Sequence, residues 1–178
     1  MGGQAGPGTA SRAEGLVEAN RVYFRISGTT REEVLREMAM RLSTLGLVPD
    51  VDDLVARLLA REQLGCTGLG GGIAIPHCKM PGLSEVVVAM ATTAEPIPFG
   101  AADGIPVRLI FLVASPAAAS AAHLQALARI SRILRTPGVI ADIDAASSAE
   151  RFLEIVRHAD VRGTAWPRGR APRRRLLT

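Results

Sequence analysis

Apolar residues recur along this chain at two spacings, one typical of amphipathic helices and the other of strands, and the two alternate. The capping box Thr30-Arg31-Glu32-Glu33 and the N-cap Asp50 mark the starts of two helices. The predicted elements, in chain order, are a strand over 21–27, a helix from 30 to about 46, a helix from 50 to about 63, strands over 72–75, 85–92 and 107–114, a helix over 120–135, a short turn of helix over 139–145 and a last helix opened at 147–150. This order predicts an α/β domain built in layers.

Length and composition agree with one domain. The chain has 178 residues, 48% of them hydrophobic, which suffices for a single core. The longest apolar runs, 86–91 and 109–114, are far shorter than the roughly 18 residues of a membrane span. The N-terminus lacks the apolar stretch of a signal peptide, and the two cysteines are not set at CxxC spacing. We therefore expect a reducing, cytoplasmic location.

The net charge of +4 is concentrated at the C-terminus, because residues 160–178 hold six arginines and one aspartate. This Pro- and Arg-rich segment is predicted to be a disordered tail, and residues 1–15 a flexible leader. The tail could contact acidic partners, RNA or anionic lipid, or be a solvated extension without function. The remaining chain is near neutral, so stable nucleic-acid binding is not expected.

The main candidate for chemistry is His77, which follows the apolar run Ile73-Ala74-Ile75-Pro76. The apolar residues predict a short strand, and the proline favours extended backbone before the histidine. Reacting groups gather at strand ends in α/β sheets. A neutral imidazole there can attack phosphorus and form a phosphohistidine, so the sequence indicates phosphoryl carriage.

A glycine-rich loop over 61–72 precedes this strand and contains five glycines, Arg61 and the hydroxyl of Thr67. Glycines such as Gly68 and Gly72 let backbone N–H groups approach an anion. The guanidinium group of Arg61 is positively charged and can donate two hydrogen bonds to phosphate oxygens. The alternative is a plain flexible turn. The loop lacks the Gly-Lys-Ser/Thr ending of a nucleotide-binding loop and leads into a strand, so no nucleotide or Mg²⁺ site is predicted.

Residues 61–79 resemble the active-site segment of the enzyme IIA domains of the bacterial phosphotransferase system, type 2, in the fructose/mannitol and nitrogen-regulatory class. Further segments resemble this family in the same order: Glu95-Pro96-Ile97-Pro98-Phe99, Asp103-Gly104-Ile105-Pro106-Val107, Pro116 and His123-Leu124-Gln125-Ala126-Leu127. The resemblance predicts a domain over 16–159. It implies a central mixed β-sheet flanked by helices on both faces.

The resemblance implies that His77 is the phosphoacceptor and that His123 and Arg61 line the same pocket, with Thr67, Gly68 and Gly72 around the phosphate. The pattern also places His123 on the sheet-facing side of its helix, near the helix start. Three of these residues have a structural alternative. His123 could be a histidine at the edge of the core, Arg61 a solvated arginine at a helix end, and Thr67 a residue that stabilises the glycine turn.

The family accepts its phosphoryl group from a small phosphocarrier protein of the HPr or NPr type and needs no metal or cofactor. The resemblance thus implies a phosphotransferase component. The motif around His77 is most similar to that of the nitrogen-regulatory class, which favours a regulatory protein. The alternatives are a sugar-uptake component that passes phosphate to a IIB domain, and a non-catalytic binding module.

Two cysteines depart from the family pattern, with Cys66 at a usual serine and Cys78 at a usual glycine. They open the alternative that Cys66, His77, Cys78 and His123 surround one Zn²⁺, although adjacent His-Cys ligands suit a tetrahedral ion poorly. A redox-sensitive thiol at Cys78 is a further hypothesis.

Overall fold

A six-stranded mixed sheet lies between two layers of helices in the computed structural model, which describes residues 16–162. After a 3₁₀ turn at Ala19–Arg21, the elements are β1 (Val22–Ile26), α1 (Arg31–Thr44), α2 (Val51–Gln63), β2 (Gly68–Gly70), β3 (Ile73–Ala74), β4 (His77–Lys79), β5 (Val87–Ile97), β6 (Val107–Ser115), α3 (Ser120–Leu134), α4 (Val139–Asp144) and α5 (Ala149–Arg162). None of these helices is long and apolar enough to cross a membrane.

The strand order is β1-β5-β6-β3-β2, and β4 also pairs with β6. Strands β5 and β6 are antiparallel, whereas β3 and β4 both run parallel to β6. The two short strands follow each other along β6, so that Ile73 pairs with Leu109 and His77 with Val113. Strand β6 thus organises the sheet around the candidate site.

The two faces of the sheet bury separate cores, because side chains alternate along each strand. On β6, Leu109, Phe111 and Val113 pack with the helices α3, α4 and α5. The intervening Ile110, Leu112 and Ala114 pack with α1 and α2. The predicted layered architecture, with helices on both faces, is confirmed.

Local signals correctly located the helix starts. The Thr30 side chain accepts from the Glu33 N–H while the Glu33 carboxylate accepts from the Thr30 N–H, which completes the predicted capping box. The Asp50 carboxylate accepts from the Asp53 N–H in the same way at α2. Both caps satisfy amides that have no partner within the helix.

Two strands were missed, and one helix is longer than predicted. Strands β2 and β4 have three residues each, too few to show a periodicity; β2 pairs with the adjacent β3, and β4 pairs with the distant β6. Helix α5 continues to Arg162, and Asp160 is buried against Arg129, so the predicted tail begins inside this helix. The leader 1–15 and residues 163–178 lie outside the described residues.

Candidate functional site

His77 begins a strand instead of ending one, which corrects the sequence-based expectation. Its ring is half-buried, and because Val113 is its partner on β6 it shares the face covered by α3. Its Nδ1 lies 2.7 Å from the carbonyl oxygen of Ile75. A carbonyl can only accept a hydrogen bond, so Nδ1 carries the proton and Nε2 of the neutral ring keeps a free lone pair.

His123 meets His77 from α3, with the two ring centroids 5.6 Å apart and the planes tilted by 54°. This ring is buried, and its Nδ1 lies 2.7 Å from the Oγ of Ser115 at the end of β6. Burial lowers the pKa of His123 below its ordinary value, and the nearby His77 and Lys79 lower it further. His123 is therefore neutral at physiological pH.

Lys79 adds the positive charge of the site. It lies two residues after His77 on β4 and therefore on the same face, and its Nζ donates to the Oγ of Ser120 at 2.5 Å. Ser120 is the first residue of α3, a helix start without a side-chain cap. The ammonium and the positive end of the helix dipole together favour an anion beside the histidines.

Arg61 lies in the last turn of α2, where its Nη1 donates to the carbonyl oxygen of Gly65 at 3.0 Å. This contact holds the guanidinium against the start of the glycine loop. Arg61 is half-buried at the helix end, and its role towards phosphate stays a prediction.

Thr67 anchors the loop through a buried carboxylate. Its N–H donates to Glu62 at 3.0 Å, and its hydroxyl donates to the other oxygen of the same carboxylate. The Thr67 carbonyl in turn accepts from the N–H of Ile75, whose own carbonyl holds His77. The hydroxyl thus stabilises the turn, as one of the two sequence interpretations had it. Gly68 lies beside it, opposite Ala74, and packs closely against Ala101.

The structure separates Gly72 from the histidines, which corrects its expected place in the phosphate pocket. It precedes Ile73, whose partner Leu109 lies four residues before Val113 on β6, or about 13 Å along the strand. Its carbonyl accepts from the N–H groups of Arg108 and Leu109. Its φ of +79° and the close Arg108 side chain explain why a glycine is needed there.

The placement of Cys78 contradicts the four-ligand zinc site and does not favour a redox role for this thiol. Cys78 points to the opposite face from His77, into the core with α1 and α2. Burial raises the pKa of its thiol to about 12, which keeps it protonated and unreactive. Residues 16–162 contain no group of three or more His, Cys, Asp or Glu side chains that could hold a metal ion.

Cys66 makes the contacts expected of a serine at this position. Its Sγ accepts from the N–H of Gly68 at 3.2 Å and lies 3.5 Å from the carbonyl oxygen of Phe99. A thiol is a weaker partner than a hydroxyl but has the same donor and acceptor roles. The replacement therefore preserves the shape of the loop.

Sequence reasoning missed three residues that organise the site: Ser115 beside His123, Ser120 beside Lys79 and the buried Glu62. Ser115 gave one usable signal, because it is a hydroxyl that ends the apolar run 109–114 of β6. Glu62 gave none, since a glutamate in the last turn of an amphipathic helix is expected to be exposed.

Comparison with known proteins adds evidence independent of this geometry. The family model described as "Phosphoenolpyruvate-dependent sugar phosphotransferase system, EIIA 2" matches residues 16–159. A "Nitrogen regulatory protein" of Pseudomonas aeruginosa is 34% identical over 145 residues, covering 82% of this chain and 94% of the relative. Its counterpart in Bradyrhizobium diazoefficiens is 34% identical over 141 residues, covering 79% and 92%.

Solved structures agree with the sequence comparison. The nitrogen regulatory protein IIA-Ntr from Neisseria meningitidis matches with a TM-score of 0.72 and 30% identity, covering 78% of this chain and 94% of that one. The mannitol IIA structure from Escherichia coli matches with a TM-score of 0.66 at 24% identity, covering 79% and 98%. The second likeness is one of fold alone.

Proposed function

This chain belongs to the EIIA type 2 family of the phosphoenolpyruvate-dependent phosphotransferase system and is therefore a phosphocarrier of that system, and we propose that Nε2 of His77 receives the phosphoryl group. The observation that supports this site is the 2.7 Å contact between Nδ1 of His77 and the Ile75 carbonyl. That contact fixes the ring and leaves Nε2 as the nucleophile.

In the proposed reaction, the Nε2 lone pair forms a bond to phosphorus while the N–P bond of the donor's phosphohistidine breaks in line. The proton stays on Nδ1, so the His77 ring becomes positively charged as the new bond forms. The Ile75 carbonyl then accepts from a charged donor, and this hydrogen bond strengthens in the transition state. Such a bond lowers the barrier instead of merely holding the ring.

Three further groups are proposed to stabilise the charge on the phosphoryl oxygens: His123 as a neutral hydrogen-bond donor, Lys79 as a nearby ammonium, and Arg61 from the last turn of α2. Thr67 and Gly68 shape that loop, and its backbone remains a proposed part of the pocket. The ring separation of 5.6 Å supports a direct role for His123, because a tetrahedral phosphoryl group bound to one ring is within reach of the other. No metal is needed for this step.

The family implies a phosphocarrier donor and a IIB acceptor in general, and we propose a donor of the HPr or NPr type. Leu124, the residue after His123 on α3, is 65% exposed and supports an apolar contact with the donor beside the site. Donor and acceptor histidines must nearly touch during transfer. A small, weak and short-lived complex in the cytoplasm is therefore proposed.

A nitrogen-regulatory role is supported by the relatives that match over most of this chain. The nitrogen regulatory proteins of Pseudomonas aeruginosa and Bradyrhizobium diazoefficiens are each 34% identical, over 82% and 79% of this chain, whereas the fructose-specific EIIABC component of Bacillus subtilis is 28% identical over 82% of it. The phosphorylation state would be what such a regulator reports to its target proteins.

The first experiment measures intact mass after incubation with a phosphorylated HPr-type or NPr-type donor. Wild type should gain one acid-labile phosphoryl group, His77→Ala should gain none, and His123→Ala should gain it on the order of 10²-fold more slowly. The matched control is His158→Ala, which removes the third histidine, on α5. Label that persists in His77→Ala, or no label on wild type from either donor, would refute the proposal.

A chase experiment separates the two roles. Phosphorylated protein is mixed with a fructose-type IIB domain, and loss of the label is followed by mass. Retention of the phosphoryl group on the time scale of donor transfer supports the regulator, whereas rapid transfer to IIB supports sugar uptake.

A further inference from the structure

Ser115 is the last residue of β6, and its side chain is fully buried. It shares the sheet face of Val113 and His77, because residues two apart on a strand point the same way. Its Oγ lies 2.7 Å from Nδ1 of His123, a ring that is itself only 7% exposed. The hydroxyl and the imidazole therefore meet out of contact with water.

The direction of this hydrogen bond follows from what the hydroxyl can reach. Within residues 16–162, Nδ1 of His123 is the partner that the structure gives to the Ser115 Oγ. If Nδ1 carried a proton and donated it, the hydroxyl hydrogen would be buried without an acceptor, which is unfavourable. If the hydroxyl donates, both groups are satisfied.

We propose that Ser115 is a positioning residue that donates to Nδ1 of His123 and thereby keeps the neutral ring in the tautomer with its proton on Nε2. This inference rests on the proposed function for its use: the Nε2–H is then the donor that faces the phosphoryl group on His77. The lowered pKa of His123 is consistent with a neutral ring, since a doubly protonated ring would have no acceptor for this hydroxyl.

The two histidines are thus held in opposite tautomers by different partners. A backbone carbonyl that can only accept gives His77 a proton on Nδ1 and a nucleophilic Nε2. A buried hydroxyl that must donate gives His123 a proton on Nε2. No proton moves when the phosphoryl group arrives; a hydrogen bond from His123 to a phosphoryl oxygen forms.

The test uses long-range ¹⁵N–¹H correlation spectra of the imidazole rings in the unphosphorylated full chain at neutral pH. Wild type should show His123 with Nε2 protonated and Nδ1 as a hydrogen-bond acceptor. In Ser115→Ala the acceptor Nδ1 loses its partner, and the two ¹⁵N shifts of His123 should move towards each other as the tautomers mix. Ser115→Thr, which keeps the hydroxyl, should restore the wild-type pattern.

Thr93→Val is the matched control, because Thr93 is a buried hydroxyl on neighbouring strand β5 without a hydrogen-bond partner in the described residues. Its removal should leave the His123 shifts unchanged. A wild-type His123 protonated on Nδ1, or shifts that do not change in Ser115→Ala, would overturn the inference.

Phosphoryl transfer supplies a second readout. Ser115→Ala should accept the phosphoryl group about fivefold to tenfold more slowly, the effect of one lost hydrogen bond, and Ser115→Thr should recover the rate. Because the spectra need no donor protein, a wild type with the expected tautomer but no phosphorylation would refute the proposed function and leave the assignment for Ser115 standing.

Discussion

At the scale of single residues, the two site histidines differ because of what each Nδ1 contacts. Nδ1 of His77 donates to a backbone carbonyl, whereas Nδ1 of His123 lies against a buried serine hydroxyl. Burial and the neighbouring positive groups also lower the pKa of His123. Residue type alone therefore did not distinguish the proposed nucleophile from its helper.

The lowered pKa predicts a pH dependence of stability. As pH falls through about 6.5, unfolded His123 takes up a proton before folded His123 does, because the pKa of the folded residue is lowered, so the free energy of unfolding decreases. The His123→Gln variant should show a shallower decrease. Urea unfolding between about pH 7.5 and about pH 5.5 measures this. Equal slopes for the two proteins would show that His123 titrates normally.

The two cysteines should differ sharply in reactivity. Cys66 is exposed, whereas burial raises the pKa of the Cys78 thiol to about 12. Iodoacetamide at neutral pH should therefore modify one site in the folded protein and two in urea, as read by intact mass. The Cys66→Ser variant should take up no label until it is unfolded. Rapid labelling of folded Cys66→Ser would contradict the placement of Cys78.

At the scale of elements, the glycine loop obtains its shape from distant partners. The Asp103 carboxylate accepts from the Gly71 N–H at 2.7 Å, and the Arg108 guanidinium donates to the Gly71 carbonyl at 2.8 Å. Arg108 is itself fixed by two bonds to Asp144. The loop is thus a braced structure, where the sequence left open a flexible turn.

Substitutions at Gly71 and Gly72 allow the cost of backbone strain to be compared with the cost of a steric clash. Both have positive φ, but a Cβ on Gly71 would meet nothing within 4 Å, whereas one on Gly72 would lie 2.0 Å from Nη1 of Arg108. We expect Gly71→Ala to cost about 1–2 kcal/mol of unfolding free energy, and Gly72→Ala to cost more because Arg108 must leave its place. Urea denaturation compares them. Equal losses would show that Arg108 moves away without cost.

At the scale of the whole molecule, Asp160 joins three parts of the chain. Its carboxylate accepts from the N–H of Leu16 and forms ion pairs with Arg129 and Arg132 on α3. The acid is buried although it lies in the last turns of α5. It therefore ties the first described residue to the last two long helices.

The buried carboxylate should matter more for stability than an exposed one. Asp160→Asn should lower the free energy of unfolding by about 1.5–3 kcal/mol, the effect of losing charge-assisted hydrogen bonds. The matched control is Asp52→Asn, whose side chain is 85% exposed in its pair with Arg36 and should cost less than about 1 kcal/mol. Chemical denaturation of both variants tests this. Similar small losses would mean that Asp160 contributes little.

The helices and the long strands could be predicted from short-range patterns in the sequence, and the sequence also singled out His77 and His123 as the candidate pair. Capping boxes, helical periodicity and apolar runs are short-range signals, so Thr30, Asp50 and the apolar strand β6 could be located without knowing their neighbours. The ordered match over 16–159 added the fold and the family. These features are encoded locally or along the chain.

Which side chains share a face, and which atoms are in contact, became clear from the three-dimensional structure alone. The position of Cys78 opposite His77, the distance of Gly72 from the site and the contact between Ser115 and His123 all depend on the register of β3 and β4 along β6. Strands of two or three residues carry no periodicity from which that register could be predicted. It is set by pairing and packing between segments far apart in the chain.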